Sequence, residues 1–376
     1  MPAIQSYDFV NDLIQNSTYT GQNVVDPSSL VSFAEDLKTD PALRESVYNT
    51  LYARIGKTVS AIDLAPDVNA RNVLTDEYTF GCILQKISFA LQEAESASEW
   101  DIANPQNPYE VVRKEGIVPK YFHRNINAFA WTDVIYDRQL FEAFISAMNV
   151  EAFTSALMTR MENAKRVSEQ SLVDIAIATL IASLYADATA TTPGVNSGRR
   201  VRHLLTEYNR KYGTSLTADT ALQTANYLDF VRIQIELDRL AMNKYTKLYN
   251  DGSVERRSTV DDINLDMSAN VVEAYKKFYG DTFNEKYVQL PYTYEVENWG
   301  IATDKTSIAV ELNDVNYNLH NIIALQYDRD ACVCTLQHER SVSIADAWNE
   351  RTVTKVEAER SFLVDLSEQA IVYFND

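Results

Sequence analysis

Apolar and polar positions follow different periods in successive stretches of the chain, and these periods predict its elements. Residues 1–55 show short three-to-four-residue spacings broken by polar turns, which is typical of small helices. Asp26-Pro27 and Asp40-Pro41 each place an N-cap residue before a proline at the first helical position, so helices should begin there. These helices offer too little apolar surface for their own core, and we expect them to pack on other parts of the fold.

Two stretches rich in β-forming residues follow, with an acidic segment between them. The first is YTFGCILQKISFALQ (Tyr78–Gln92), and the second is IVPKYFHRNINAFAWTDVIY (Ile117–Tyr136). The segment between them, Glu93–Glu110, is acidic and contains two prolines. Two long strands around a polar tip predict an extended β-hairpin. Because a two-stranded hairpin is only marginally stable in water, we expect it to lie on another surface, such as that of a second chain.

A long helix is predicted directly after the second strand, since the stretch from Lys120 to Thr192 contains no glycine and no proline. After a short helix at Gln139–Met148, Asn149 can serve as the N-cap of a helix reaching about Ala186. At ~1.5 Å per residue, these roughly 38 residues would span about 57 Å. Apolar residues at helical spacing mark its predicted buried face: Phe153, Leu157, Met161, Ala164, Leu172, Ile175 and Thr179.

The remaining residues mix helices and strands. A basic helix (RRVRHLLTEYNRKYG) and a strand followed by a helix (DDINLDMSANVVEAYKKFYG) are predicted, as are strands at Tyr287–Trp299 and Ile308–Leu312. NIIALQYDRDACVCTLQ predicts a strand, with a charged turn at Asp328–Asp330. The tail predicts two more strands, and one parity along the first of them is apolar: Val356, Ala358, Phe362, Val364 and Leu366.

Charge narrows the classes of function that the chain can serve. It has 376 residues, with 34 Lys and Arg against 53 Asp and Glu, for a net charge of −19. Such a surface repels phosphate backbones, which argues against sequence-specific binding of nucleic acid. No apolar run approaches the ~18 residues of a membrane span, and we expect neither a membrane segment nor a signal peptide. The 3 cysteines fit a reducing compartment.

Residues that could carry chemistry have simpler interpretations. Gly56-Lys57-Thr58 spells the end of a phosphate-binding loop, but Leu51 stands where the first glycine is required. Cys332 and Cys334 lie on one face of a predicted strand without a second ligand pair, so we expect buried small side chains and not a zinc site. His203 follows Arg202, which should hold its imidazole neutral. We expect no catalysis, no cofactor and no metal.

The acidic tip of the hairpin has three interpretations: a cation site, a solvated loop, or a docking element for a basic surface on another copy of the chain. Candidate contact residues between copies are the tip itself, the aromatic residues of the second strand and two basic pairs: Glu93, Glu95, Glu99, Trp100, Asp101, Phe129, Trp131, Arg199, Arg200, Arg256 and Arg257.

The order of the elements resembles a known family. YFHRNINAFAWTDVIYDRQLFEAFISAMNVEAFTSALMTRMENA is similar to the junction where an extended loop enters the spine helix in major capsid proteins of tailed bacteriophages, above all of small short-tailed phages. GCILQKISFALQEAE resembles the outgoing strand of that loop, and DDINLDMSANVVEAYKKFYGDTF the strand and helix of the axial domain. NIIALQYDRDACVCTLQ and RTVTKVEAERSFLVDLSEQAIVYF resemble the returning strands. The likeness runs from about residue 50 to the C-terminus.

The resemblance implies an α+β fold of the Hong Kong 97 type. Its segments would be an N-terminal helical arm (1–55), an extended loop (56–121), a peripheral domain with the spine helix (122–195), an axial domain (196–330) and return strands of the peripheral domain (331–376). It also implies self-assembly into hexamers and pentamers of an icosahedral head around double-stranded DNA. The short N-terminal segment implies a separate scaffolding protein, and a portal is expected. Assembly would take place in the host cytoplasm, with the product in the virion.

Two other functions stay open from the sequence. An encapsulin-like compartment would use the same fold to enclose protein cargo. A soluble α/β hydrolase or transferase would assemble its site from residues far apart in the chain.

Overall fold

The computed structural model describes much of the chain, in the following ranges: 7–19, 21, 23–40, 42–47, 50, 73–75, 83–89, 117–123, 125–136, 138, 147–190, 197–252, 254–279, 292–300, 304–346, 348–349 and 351–376. The predicted hairpin tip, the Gly56-Lys57-Thr58 stretch and most of the short helix predicted at Gln139–Met148 lie outside the described residues.

The described parts of the chain contain both helices and strands, and strands predominate toward the C-terminus. The helices are α1 (Tyr7–Gln15), α2 (Pro27–Thr39), α3 (Ala147–Thr189), α4 (Ser197–Arg200), α5 (Leu204–Tyr212), α6 (Ala218–Ala221), α7 (Ala225–Met242) and α8 (Ala269–Tyr279). The strands are β1 (Leu74–Thr75), β2 (Ile83–Phe89), β3 (Ile117–His123), β4 (Asn125–Tyr136), β5 (Val201–His203), β6 (Ile263–Ser268), β7 (Tyr294–Val296), β8 (Ile308–Leu312), β9 (Val315–Leu319), β10 (Ile322–Asp328), β11 (Cys332–Asp346), β12 (Arg351–Val364) and β13 (Ala370–Phe374).

The N-terminal helices begin where the sequence predicts and pack on the rest of the chain. The Asp26 carboxylate accepts a hydrogen bond from the Ser29 amide at 2.7 Å and caps α2. Asp40 accepts in the same way from the Ala42 amide, and residues 42–47 are helical. The buried apolar side chains of this segment form one cluster with residues of α3, β4 and β12, so the arm does need a core supplied by other elements. From the arm, that cluster takes Val10, Ile14, Val24, Leu30, Phe33, Leu37, Leu43 and Val47.

A four-stranded sheet, ordered β1-β11-β12-β4, lies beside the long helix. β12 pairs antiparallel with both β11 and β4 along most of its length. The predicted inward parity of β12 is confirmed at Val356, Ala358 and Phe362, which are buried. β2 and β3 pair separately as a two-stranded antiparallel hairpin, so the predicted second strand divides into β3 and β4.

A five-stranded sheet, ordered β5-β13-β10-β6-β7, forms the second unit, and α5, α7 and α8 pack around it. β10 and β11 belong to different sheets, because the predicted charged turn, a 3₁₀ turn at Arg329–Ala331, divides the stretch that we predicted as one strand. The closing strand β13 lies between β5 and β10. The predicted boundary at residue 330 therefore places β13 in a different segment from the other strands of its sheet.

The predicted basic helix is also divided. Val201–His203 forms β5, parallel to β13, and α5 begins only at Leu204. Pairing with the sheet edge gives these three residues hydrogen bonds that the sequence pattern does not reveal. Gly213 ends α5 in the left-handed region with φ of 66°, a conformation that glycine adopts without strain.

The long helix α3 has 43 residues, which at ~1.5 Å per residue is about 64 Å. It runs through Asn149, so this residue does not begin a new helix as predicted. Leu157 and Met161 face the N-terminal arm, whereas the second half of the helix lies in the core between the two sheets.

In this second half the predicted buried face of α3 is confirmed at Leu172, which is buried, and is wrong at Ile175, which is exposed. The residues that are buried there cover more than one side of the helix, so apolar periodicity selects no single face. They are Leu172, Val173, Ala176, Ile177, Ala178, Leu180, Ile181, Ala182 and Leu184.

One part of α3, Ser155–Thr189, is long and apolar enough to cross a membrane by length and composition alone, with a mean hydropathy of 1.5. This differs from the expectation that no such run exists. A single helix of this kind is weak evidence for a membrane span, and half of its apolar window is buried inside the fold. Its place in the core accounts for its composition.

Candidate assembly surfaces

The β2–β3 hairpin is held together by seven consecutive residue pairs, from Ile83 opposite His123 to Phe89 opposite Ile117. Residues 90–116, which connect β2 to β3 in the sequence, contain the predicted acidic tip. Glu93, Glu95, Glu99, Trp100 and Asp101 lie outside the described residues, so their contact with another copy stays a prediction.

Phe129 and Trp131 lie on the face of β4 that is turned toward α3. Their rings stack with centroids 6.2 Å apart, and the Trp131 indole Nε1–H donates to Ser168 Oγ at 3.1 Å. Both side chains are half-buried against their own chain. These contacts anchor β4 to the long helix, and only the remaining exposed part of each ring is open to a neighbour.

The first predicted basic pair is divided between surface and interior. Arg199 is exposed, whereas Arg200 is fully buried. The Arg200 guanidinium donates to the Asp187 carboxylate at 2.6 Å and to the Leu366 carbonyl at 3.1 Å. Burial lowers the pKa of Arg200, against the opposing charges of Asp187 and Asp251. As a correction to the prediction, Arg200 therefore has no exposed atoms to offer to another copy.

The second basic pair is more accessible. Arg256 is partly buried and forms an ion pair with Glu368 at 3.1 Å. Arg257 is exposed and donates from Nε to the Asn243 carbonyl at 3.1 Å, at the end of α7. An exposed guanidinium with a neutral partner can add an anionic partner, so Arg257 is the better candidate of the two.

Buried charges that sequence reasoning missed join α3 to the sheet. Arg360 on β12 forms an ion pair with Glu169 on α3. Lys165, one turn before Glu169, is also buried. These two charged residues continue the helical stripe from Leu157 and Met161, at a spacing of four. The position of Lys165 and Glu169 in this stripe could have indicated from the sequence that both are buried. Charged residues are ordinarily assigned to the surface, and so this indication was missed.

A polar network lies beneath α7 in the second unit. Arg202 on β5 donates to Asp238 on α7 at 2.5 Å and pairs with Glu207 on α5. The Tyr373 hydroxyl donates to Asp238 at 3.0 Å. Burial raises the pKa of Asp238, while the charge and hydrogen bond of Arg202 oppose that shift. The network fixes α5 and α7 on the sheet through residues far apart in sequence.

His203 does not behave as its neighbour in sequence suggests. Its Nδ1 lies 2.5 Å from an Asp376 carboxylate oxygen, and its ring stacks on Phe374 with centroids 5.6 Å apart. The hydrogen bond to Asp376 raises the pKa of His203, which corrects the expectation that Arg202 keeps it neutral. The charge of Arg202 is directed instead at Glu207 and Asp238.

The described residues that could suggest catalysis have structural roles. Ser307 Oγ lies 2.8 Å from His320 Nδ1 and donates to Asp304 at 2.9 Å, but Ser307 is fully buried in a turn before β8. Cys332 and Cys334 are buried, as predicted. No group of three metal-ligating side chains occurs within the part of the chain that the structure describes.

Comparison with solved structures identifies the class of fold. A chain in the capsid structure of Staphylococcus phage Andhra is 8% identical, with a TM-score of 0.51, over 81% of this chain and 83% of that one. A chain in the structure of the head fiber and inner core protein gp22 of native bacteriophage P68 is 7% identical, with a TM-score of 0.50, over 81% and 83%. No curated protein sequence matches this chain. The fold is the α+β, Hong Kong 97-type fold of phage capsid subunits.

The family follows from the sequence itself. The model of the Phi29-like phage major capsid protein family matches residues 8–374. The chain therefore belongs to the Phi29-like phage major capsid protein family. Members of this family are structural proteins, and copies of the chain assemble into the phage capsid.

Proposed function

We propose that each subunit extends its β2–β3 hairpin onto a neighbouring copy and that this contact helps to hold hexamers and pentamers of an icosahedral shell together. One observation carries the proposal: β2 and β3 pair with each other as a separate two-stranded sheet. A hairpin of this kind needs further surface for stability. A second copy supplies that surface in a capsid, where every subunit has neighbours.

The contact residues on the two sides have opposite charge. The acidic tip, with Glu93, Glu95, Glu99 and Asp101, meets basic side chains around Arg257 and Arg199 on the neighbour. Both guanidiniums are exposed. Trp100 and the open edges of Phe129 and Trp131 contribute apolar contact.

The chain performs no catalysis in this proposal and takes no cofactor. Its partners are other copies of itself, a separate scaffolding protein, a portal and packaged double-stranded DNA. The net charge of −19 keeps the inner wall from binding the DNA tightly, so that the genome can be packed and released. Assembly takes place in the host cytoplasm. The five segments act as arm, extended loop, peripheral domain, axial domain and return strands, except that β13 completes the sheet of the axial domain.

Removing the hairpin tip tests the docking. Deletion of Ala94–Asn107 should leave the subunit folded and reduce the yield of closed shells, because the contact with the neighbour is lost. The matched control replaces the same residues with a glycine-serine segment of equal length, which should also fail if side chains carry the contact. Normal shells from both variants, seen by electron microscopy, would refute the docking.

A charge exchange tests the proposed ionic contact. Glu95→Arg and Arg257→Glu should each lower shell yield at low salt, and the double variant should recover it. Salt should weaken assembly of the wild type, since exposed pairs are screened within about 8 Å at physiological ionic strength. Lys277→Glu, at an exposed position of α8 outside the proposed contact, is the control. Equal yields from both single variants and the control would contradict the ionic contact.

Analysis of what the particles enclose tests whether double-stranded DNA is the packaged partner. Particles from infected cells should protect double-stranded DNA from nuclease. Protected protein cargo in place of DNA would favour a compartment.

A further inference from the structure

The outer side of α7 is apolar at the positions that are open to solvent. Only four of its 18 residues, all of them described, are exposed, and three of these are large aliphatic side chains. Ile233, Leu237 and Leu240 are 45%, 54% and 52% exposed, and their spacing of four and three places them on one side of the helix. Tyr245, in the turn after α7, is also exposed. The α7 stripe is defined as these four residues.

The other sides of α7 have partners within the chain. Leu228 and Val231 are buried in one cluster with residues of β6, β10 and β13. Asp238 accepts a hydrogen bond from Arg202 of β5, and α5 and α8 both lie beside α7. Within the part of the chain that the structure describes, the α7 stripe is therefore the side of this helix that no element covers. Exposed apolar surface of this kind is typical of a contact site.

The helices around the stripe carry an excess of exposed basic side chains. Residues 204–257 and 269–279 hold α5 to α8, and their exposed charged side chains are seven basic and two acidic. The basic ones are Arg210, Lys211, Lys244, Lys247, Arg257, Lys276 and Lys277, and the acidic ones are Asp219 and Glu273. Asp261 and Asp262, exposed just before β6, leave an excess of three when they are added. The whole chain has a net charge of −19, so this layer has the opposite sign.

The carboxylates of α7 itself do not offset the lysines that follow it. Lys244 and Lys247 are exposed on either side of Tyr245 in the sequence. Glu236 forms an ion pair with Arg239 at 3.1 Å, and Asp238 is buried beneath the helix. The C-terminal end of the α7 stripe thus presents exposed positive charge beside apolar side chains.

We propose that the α7 stripe binds an amphipathic helix with acidic side chains, supplied by a protein other than this chain. Apolar side chains three and four residues apart on the partner would cover the stripe, as helices do when they bind along a groove. Carboxylates beside them would face Lys244 and Lys247. The phosphate backbone of nucleic acid would meet the lysines but would leave the aliphatic side chains uncovered. A stripe of four side chains is small, so we expect reversible binding.

The acidic helices α1 and α2 of this chain do not fit as the partner. Their apolar side chains, among them Val10, Ile14, Leu30 and Phe33, are buried in the chain's own core. We therefore assign the partner helix to a separate protein. The proposal does not depend on the hairpin docking, and Arg257, which is assigned to that docking, is not part of the stripe.

Binding of a designed helix to disassembled full-length subunits tests the chemistry of the stripe. The probe is a labelled 14-residue peptide with leucine at heptad positions a and d and glutamate at e and g, and fluorescence anisotropy measures its affinity. A second peptide with lysine in place of each glutamate should bind at least tenfold more weakly. The net charge of −19 alone would favour the lysine peptide, so equal or tighter binding of that peptide would overturn the proposal.

Variants place the binding on α7. Leu237→Ser and Lys244→Glu should each weaken binding of the glutamate peptide by about tenfold or more. Both positions are exposed, so circular dichroism should show an unchanged fold. Val167→Ser, at an exposed aliphatic position of α3, is the matched control and should bind as the wild type does. Wild-type affinity in Leu237→Ser, or an equal loss in the control, would overturn the proposal.

Photo-cross-linking identifies the natural partner. Benzoylphenylalanine replaces Leu237 in the full-length chain, and assembling particles from infected cells are irradiated. Mass spectrometry should place the attachment on another protein, within an acidic segment whose apolar residues lie three and four apart. Attachment to a second copy of this chain, to nucleic acid or to a segment without that pattern would overturn the proposal, as would the absence of any product.

The hairpin docking and the α7 stripe can fail separately. The Ala94–Asn107 deletion should bind the glutamate peptide with wild-type affinity. Normal shells from that deletion together with tight peptide binding would refute the hairpin docking alone. Failed shells from the deletion together with no peptide binding to the wild type would refute the α7 stripe alone.

Discussion

Arg360 on β12 and Glu169 on α3 form an ion pair with side chains that are only 2% and 3% exposed. Arg360 has the same parity as Ala358 and Phe362, so the strand turns a charge toward the core between two apolar side chains. Burying a charged side chain costs free energy of desolvation, and attraction to a partner of opposite charge offsets that cost. The pair therefore fixes the position of the long helix along the sheet.

Removing one partner should destabilise the subunit strongly. Arg360→Met leaves the Glu169 carboxylate buried without the guanidinium of Arg360, at a cost of about 3–5 kcal/mol. The double variant Arg360→Met with Glu169→Leu should regain most of this loss, because neither charge of this pair remains buried. Urea unfolding of disassembled subunits measures both effects. Equal stability of the single and the double variant would contradict the interpretation.

The core half of α3 should be sensitive to truncation, and its exposed positions should not be. Leu180→Ala removes a fully buried side chain and should cost about 2–5 kcal/mol. Val167→Ala, on the same helix at a position that is 68% exposed, should change stability by less than about 0.5 kcal/mol. Urea unfolding checks both, and similar losses from the two variants would argue against the assigned buried face.

The His203–Asp376 pair predicts a dependence of stability on pH. The pKa of His203 is raised in the folded chain, mainly by its hydrogen bond to Asp376. Its contribution to stability is therefore fully present below the unfolded value of about 6.5 and is lost as pH rises through the folded pKa. Unfolding midpoints between pH 5 and pH 9 should show this loss in the wild type. His203→Gln and Asp376→Asn should both remove it, and a wild-type slope in either variant would count against the pair.

The cysteines of β11 should be unreactive in the native chain. Burial raises the pKa of Cys334 to about 12, so very little thiolate forms near neutral pH. Iodoacetamide at pH 8 should leave the peptide that contains Cys332 and Cys334 unmodified until denaturant is added. Mass spectrometry of that peptide measures the outcome, and fast alkylation of native subunits would show that the thiols are accessible.

Local patterns in the sequence predicted the elements well. The caps at Asp26 and Asp40, the β2–β3 hairpin, the long helix and the inward parity of β12 all follow from periods and spacings of a few residues. These features depend on residues that are close together in the sequence, and a local sequence pattern shows such residues directly.

Pairings between distant residues could not be predicted in the same way. β13 lies between β5 and β10, and residues of β5 become a strand only through that contact. Arg360 was not recognised as a core residue, because its partner Glu169 is 191 positions away. Trp348 is exposed in the turn between β11 and β12. Its exposure depends on the position of that turn in the fold, and the neighbouring residues in the sequence do not distinguish it from a buried aromatic residue.

The central claim is that this chain is a shell subunit whose hairpin lies on a neighbour. A cryo-electron microscopy reconstruction of its particles tests this most directly. The account predicts closed icosahedral shells in which the β2–β3 hairpin of each copy crosses the surface of the next copy. A population of single subunits without shells, each with its hairpin folded over its own body, would contradict it.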